Sequence, residues 1–160
     1  TKVRSMKRAR EYRIGNYVTV RGVIQYIIGI ESNNDWNVED GLGAFETIRT
    51  NVNPMNMSKD GLLYVSEVEP IPLTQDSLLS FGFISIPETK DEFRFTDNDE
   101  GFRLEVSEYF IKDGRAVFYY NKPYKNQNHT CIAYCKYVHQ LQNLYHALSG
   151  KELTTKNDTI

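Results

Sequence analysis

The chain has 160 residues and a formal net charge of -2. This balance gives no general attraction to nucleic acid or to anionic membranes, so binding to either requires a local patch. Charged residues make up 25% of the chain and hydrophobic residues 40%, which excludes a disordered composition and is typical of a folded domain. Eleven tyrosines and eight phenylalanines favour half-buried strands, so the sequence predicts one core, or two small ones, rich in β structure.

The first residues carry the densest positive charge of the chain. Clustered cations can contact phosphate even when the total charge is near zero, so this stretch is a candidate nucleic-acid-binding arm. A solvated terminus is the alternative interpretation. The candidate contact residues are Arg8, Arg10 and Arg13.

The first half of the chain contains a series of short strand-like runs. Turn signals at Gly15 and Gly22 separate the first runs, which are rich in β-branched and aromatic residues. Four or five such strands within roughly 60 residues are typical of a small SH3-like β-barrel. The runs are 17–20, 23–30, 44–49 and 62–69.

The single tryptophan, Trp36, lies in the polar segment 32–43, which is rich in Asn, Asp and Gly and is predicted to be a loop. An indole in such a loop can stack against a partner. A lid over the small core is the alternative. Trp36 is therefore a candidate binding residue.

Two prolines, Pro70 and Pro72, separate the halves of the chain, because each lacks a backbone donor and disfavours helix in the residue before it. Thr74 then supplies an N-cap hydroxyl, and Gly82 can end a short helix in the left-handed conformation. The predicted apolar stripe of this helix comprises Leu78, Leu79 and Phe81.

The second half of the chain predicts an antiparallel meander of about four strands, with a strong hairpin signal at Asp113 and Gly114. A last helix ends at Gly150 and is predicted to cover one face of the meander. The tail beyond Leu153 is polar and predicted to be loose. The apolar positions of the last helix are Val138, Leu141, Leu144, Tyr145 and Leu148.

The predicted fold class is α+β: a small SH3-like β-barrel followed by a short helix, an antiparallel β-meander and a C-terminal packing helix. We expect residues 1–72 to hold the basic arm and the barrel, residues 73–160 to hold the meander and last helix, and the two to pack as one compact unit. No apolar run is long enough to span a bilayer, so we expect no membrane contact and a cytoplasmic location.

No motif for catalysis or cofactor binding is present, neither a P-loop nor a dinucleotide fingerprint, nucleophile elbow or zincin pair. Cys131 has no neighbouring base, and on a strand Cys131 and Cys135 would share a face about 13 Å apart, beyond disulfide reach. His139 and His146 would lie about 10 Å apart on a helix, too far to share an ion. From Asp97 the spacing of a calcium loop fails, so a turn is predicted. The sequence predicts a protein without catalytic residues, metal or cofactor.

The aromatic strands offer a second candidate surface. Phe118 and Tyr120 point to one face of their strand and Tyr119 to the other, and the last helix can cover only one face. Aromatic rings interleaved with Arg94 and Arg103 can stack single-stranded bases, so the candidates are Arg94, Arg103, Phe118 and Tyr120. Packing against the first half of the chain and a flat protein-binding surface are the alternatives.

Three blocks of the sequence together resemble a family of small bacteriophage and prophage proteins. The blocks occur in the family's order and comprise turns, caps and helix faces, so the resemblance supplies no catalytic residues. They are Tyr12–Val18, Pro70–Phe83 and Lys136–Gly150.

The resemblance implies a phage context inside a host bacterium. Small phage proteins without enzyme motifs often bind a defence component, and anti-CRISPR proteins are one such class. The implied function is a non-enzymatic inhibitor whose partner is a bacterial defence protein or its RNA complex, such as an RNA-guided nuclease. The alternative is an RNA- or single-strand-DNA-binding module of phage replication or gene control. A self-associating accessory protein is a third possibility.

Overall fold

The computed structural model describes residues 11–33, 45–51, 62–64, 67–87, 92–97, 102–112, 115–121 and 130–156. The fold is mixed α+β, as predicted: it is mostly sheet, with two helices in the described residues and a curled sheet of half-barrel form. The chain divides into two compact units, Thr1–Ile71 and Pro72–Ile160.

The first unit contains a five-stranded antiparallel sheet of order β4-β3-β2-β1-β5. Its core cluster includes Val18, Val20, Ile27 and Ile48, all buried on one face of the sheet. The strands are β1 (Tyr17–Val20), β2 (Val23–Asn33), β3 (Phe45–Thr50), β4 (Leu62–Tyr64) and β5 (Val68–Glu69).

The turn between β1 and β2 has two residues, because Val20 pairs with Val23. Arg21 and Gly22 both have positive φ angles, 51° and 81°. Two successive left-handed residues match the right-handed twist of paired strands, so this turn fixes the register of the hairpin.

The second unit contains a five-stranded antiparallel meander of order β10-β9-β8-β7-β6 and two helices. Each strand pairs with the next in sequence, so short connections build the sheet. The elements are α1 (Gln75–Ser80), β6 (Ile84–Ser85), β7 (Glu92–Asp97), β8 (Phe102–Lys112), β9 (Arg115–Asn121), β10 (Thr130–Cys135) and α2 (Val138–Ser149).

The predicted caps of α1 are confirmed. The Ser77 backbone N–H donates to Thr74 Oγ1 at 3.2 Å, and the Thr74 N–H donates to Ser77 Oγ at 2.8 Å. Gly82 has a φ of 90°, and the Phe83 N–H donates back to the Leu78 carbonyl at 3.1 Å, which closes the C-terminus. The predicted apolar stripe of α1 wrongly included Leu79. This side chain is exposed, because a helix of under two turns buries only one side.

Helix α2 covers the face of the meander that carries Phe95 and Phe102, which we call the inner face. The Tyr145 ring lies 5.5 Å from the Phe95 ring and 6.0 Å from the Phe102 ring. The buried Tyr145 hydroxyl donates to Asp97 Oδ2 at 2.6 Å. Burial is the main cause that raises the pKa of Tyr145 to about 12, and this hydrogen bond is the second cause. Gly150, with a φ of 71°, ends the helix as predicted.

The tail after α2 is packed rather than loose, so the prediction for the tail beyond Leu153 is wrong for residues 154–156. Leu153 and Thr155 are buried. Gln142 Nε2 donates to the Leu153 carbonyl at 3.2 Å, and the Lys156 N–H donates to the Ser80 carbonyl at 3.0 Å. An apolar side chain and two satisfied backbone groups hold the segment.

The two cysteines are free, as predicted, but they do not share a face. A bulge between Cys131 and Ala133 inserts one residue into β10, so Cys131 pairs with Tyr119 while Cys135 pairs with Ala116. One extra residue reverses the alternation of side chains. Cys131 is therefore exposed and Cys135 buried.

Candidate functional surfaces

The first candidate surface is the outer face of β2 in the first unit. Ile24, Tyr26 and Ile28 are 41%, 44% and 45% exposed, and we call these three residues the β2 stripe. Gln25 and Ile27 alternate with them and are buried, as the two-residue period of a strand requires. Three large apolar side chains are thus exposed along β2, and the last of them, Ile28, lies where the pairing with β3 shifts register between Ile27 and Gly29.

Neighbouring strands extend the β2 stripe and border it with polar groups. On β1, Tyr17 pairs with Tyr26, with the ring centroids 6.5 Å apart and nearly perpendicular. Thr19 pairs with Ile24 on one side and with the exposed Glu69 of β5 on the other. An apolar centre with a polar rim is the usual anatomy of a protein–protein interface.

Sequence reasoning predicted the strand over 23–30 but missed this surface. The reason is Gln25, which lies inward and accepts a hydrogen bond from the hydroxyl of Thr50, while Ile24 and Ile28 lie outward. A buried polar side chain and two exposed isoleucines on one strand are the reverse of the usual arrangement, in which apolar side chains are buried. The two-residue alternation was the only available signal, and it does not say which set is buried.

The second candidate surface is the outer face of the meander, opposite α2. Strand register places Arg94, Glu105, Tyr119 and Cys131 in one row across β7, β8, β9 and β10. Tyr134, farther along β10, is 63% exposed. We call this surface the meander face.

Part of the charge on the meander face is neutralised by an ion pair within the face. Arg94 Nε lies 3.0 Å from Glu105 Oε1, so this pair neutralises itself. Arg103 pairs in register with Thr96 and is half-buried, and no described residue accepts a hydrogen bond from its Nε. A hydrogen bond with Cys131 is the main cause that raises the pKa of Tyr134, which keeps its hydroxyl neutral.

The prediction that Phe118 stacks against nucleic-acid bases is wrong. Phe118 is completely buried, with its ring 6.2 Å from that of Phe83 on the inner face. The face that carries Phe118 is the one that α2 covers, because Phe118 pairs with Val106 of the buried set. Among the side chains that the structure describes on the outer face, Tyr119 and Tyr134 are aromatic.

The other predicted residues are distributed differently. Arg94 and Arg103 share the meander face. Tyr120 pairs with Leu104 by its backbone, and its side chain lies outside the described part of the structure. Arg13 is half-buried, and its backbone N–H donates to Asn16 Oδ1 at 2.7 Å. The remaining three, Arg8, Arg10 and Trp36, lie outside the described residues.

Reactive groups do not converge in the parts of the chain that the structure describes. No set of three His, Cys, Asp or Glu side chains is placed there to hold a metal ion. Burial raises the pKa of the Cys135 thiol to about 12 and lowers the pKa of His139 to about 4, so both are neutral at pH 7. Neither described helix is long and apolar enough to cross a membrane.

Comparisons with protein families, with curated proteins and with solved structures give no match to this chain. The class that the structure defines is a two-unit, sheet-rich α+β protein. The functional argument therefore depends on the two surfaces described above.

Proposed function

We propose that this chain is a non-enzymatic binding protein that inhibits a bacterial defence system by docking the β2 stripe on a protein of that system. The observation that carries the proposal is the row of exposed apolar side chains at Ile24, Tyr26 and Ile28. Contiguous apolar surface of this kind marks interaction sites on soluble proteins.

The energetics favour a protein partner at this surface. Fully burying a large apolar side chain contributes about 1.5–3 kcal/mol; these three side chains are a little under half exposed, so completing their burial contributes roughly half of that each and offsets part of the cost of association. The rim residues Thr19 and Glu69 can then set orientation. Arg49 of β3 is exposed and pairs with Gly29 next to Ile28, so one cation also lies at the edge of the β2 stripe.

We infer the class of partner from the resemblance to phage proteins. It points to a bacterial defence protein or its RNA complex, such as an RNA-guided nuclease, in the cytoplasm of the host. The SH3-like interpretation of the first unit belongs to the same proposal, and the five-stranded antiparallel sheet supports it.

The test is a pull-down from bacterial lysate, with and without nuclease, using Ile28→Asp and a matched control. Ile84 is a suitable control position because it is also an isoleucine on a strand, 60% exposed, in the second unit. We expect a stoichiometric protein to survive nuclease treatment, to be lost with Ile28→Asp and to be kept with Ile84→Asp. The captured partner should be a defence protein whose activity the wild-type chain inhibits.

Two results would contradict this proposal. One is equal capture of the same partner by wild type and Ile28→Asp. The other is a nuclease-resistant partner with no role in defence, which would retain the binding surface and remove the assigned function.

The second candidate function is an RNA- or single-strand-DNA-binding module, and the meander face favours it. Tyr119 and Tyr134 offer rings for base stacking on the face that also carries Arg103. The Arg94–Glu105 pair weakens this candidate, because it offsets one of the two cations on the face. Direct titration with a labelled single-stranded oligonucleotide at increasing salt tests it: binding must weaken steeply with salt and fall in Tyr134→Ala.

A further inference from the structure

A cavity of about 300 Å³ lies in the second unit between the start of α1 and the inner face of the meander. Its walls include Leu78 of α1 and three sheet residues, Phe93 on β7, Val106 on β8 and Ala116 on β9. All four residues are buried. The volume falls at the lower end of the range for small-molecule sites, roughly 300–1,000 Å³.

Backbone bonds hold the walls in place without a ligand. The Leu73 N–H donates to the Lys136 carbonyl at 2.9 Å, and Pro72 forms a bridge with Tyr137. These contacts tie the segment before α1 to the segment before α2, and the caps fix α1 at both ends. Phe93 and Val106 are direct cross-strand neighbours. A preformed cavity reduces the ordering cost of binding.

The lining chemistry specifies the class of ligand. Among the described residues that line the cavity, none is charged, so a buried ionic group would find no partner there and would be costly. The polar lining residues are Thr74 and Gln75, which are both exposed and mark the entrance. The Thr74 hydroxyl already accepts the Ser77 N–H of the cap, and Gln75 is the next residue at the entrance.

We propose that this cavity binds an uncharged, mainly apolar small molecule, about the size of one fused aromatic ring system, with a single hydrogen-bonding group at the entrance beside Gln75. Burial of its apolar surface against Leu78, Phe93 and Val106 drives binding. The site lies in the second unit and does not involve the β2 stripe, so loss of either site leaves the other intact.

Indole is the probe, because it is uncharged and bicyclic and has one N–H donor. Titration of the ¹⁵N-labelled full chain should give saturable amide shifts centred on Leu73, Leu78, Val106 and Ala116. Intermolecular NOEs should connect indole protons with the methyl groups of Leu78 and Val106. Benzoate, a charged aromatic, should give no saturable shifts at these residues.

A pair of matched alanine variants locates the site. Ala116→Leu fills the cavity and should weaken indole binding at least about tenfold, which corresponds to 1.4 kcal/mol. Ala147→Leu adds the same side chain at an exposed position of α2 and should leave binding unchanged. If Ala116→Leu does not fold, the intermolecular NOEs between indole and the wild-type protein decide whether indole binds in this cavity.

The proposal is overturned if indole gives no saturable shifts, if the NOEs arise from other residues, or if folded Ala116→Leu binds as wild type does. Equal binding of benzoate would overturn the assigned class of ligand.

Discussion

The two units use their aromatic and apolar residues in opposite ways. In the first unit Tyr26 and two isoleucines face outward on β2, while Gln25 and Thr50 are hydrogen-bonded inside. In the second unit Phe118 of the sheet and Tyr145 of α2 are both buried. Apolar residues on these strands are therefore not equivalent: buried ones such as Phe118 and Ile27 stabilise the fold, whereas Ile24, Tyr26 and Ile28 leave a large part of their surface exposed.

The largest expected effect tests this contrast by removing one ring from each unit. Phe118→Ala should lower the free energy of unfolding by about 3–5 kcal/mol, because it leaves a cavity in the core. Tyr26→Ala should cost less than about 1 kcal/mol, since the ring is nearly half exposed. Urea denaturation of both variants provides the measurement. Comparable losses would mean that the β2 stripe is structural and would remove its proposed role.

The next effect concerns acid and a buried histidine of the second unit. His139 is 1% exposed and stacked 5.7 Å from the Tyr137 ring, and burial lowers its pKa from 6.5 to about 4. Between these pH values the unfolded chain binds a proton that the native chain excludes, so stability falls as pH drops from 6.5 to 4. The loss should reach about 3 kcal/mol, at 1.4 kcal/mol per pH unit.

Denaturation curves across this pH window test the assignment. A folded His139→Gln variant should show a flatter pH profile than wild type. His146→Gln, on the same helix but only half-buried, should keep the wild-type slope. If His146→Gln alone flattens the profile, the acid sensitivity does not come from the core of the second unit.

A smaller effect compares two tyrosine hydroxyls on opposite faces of the meander. Tyr145→Phe removes the donor that bonds the buried Asp97 carboxylate and should cost about 1–3 kcal/mol. Tyr134→Phe removes an exposed hydroxyl and should leave stability nearly unchanged. Thermal unfolding measures both, and an equal response would contradict the assignment of inner and outer faces.

The smallest effect concerns the ion pair on the meander face. Arg94 is 35% exposed and Glu105 17%, and they lie opposite each other on adjacent strands. A double-mutant cycle with Arg94→Gln and Glu105→Gln should give a coupling energy of about 0.2–1 kcal/mol that decreases with salt. A coupling well above this range would make the pair a structural element and would sharpen the contrast with the apolar β2 stripe.

The sequence by itself determined the local structure of this protein. The hydroxyl of Thr74 and the glycines at 82 and 150 fixed helix ends, because capping depends on residues a few positions apart. The turn at Arg21 and Gly22 set a hairpin register in the same way. Patterns of this local kind also sufficed for the mixed α+β class.

Only the tertiary structure decided which face of each strand is covered. Alternation along β2 and β9 defines two sets of side chains, but the element that covers one set lies far away in sequence. Phe118 was therefore predicted to be exposed and is buried, while Ile24 and Ile28 are exposed. The bulge at Cys131 and the burial of Leu153 could not be predicted for the same reason. Each depends on contacts with distant strands and helices rather than on neighbouring residues.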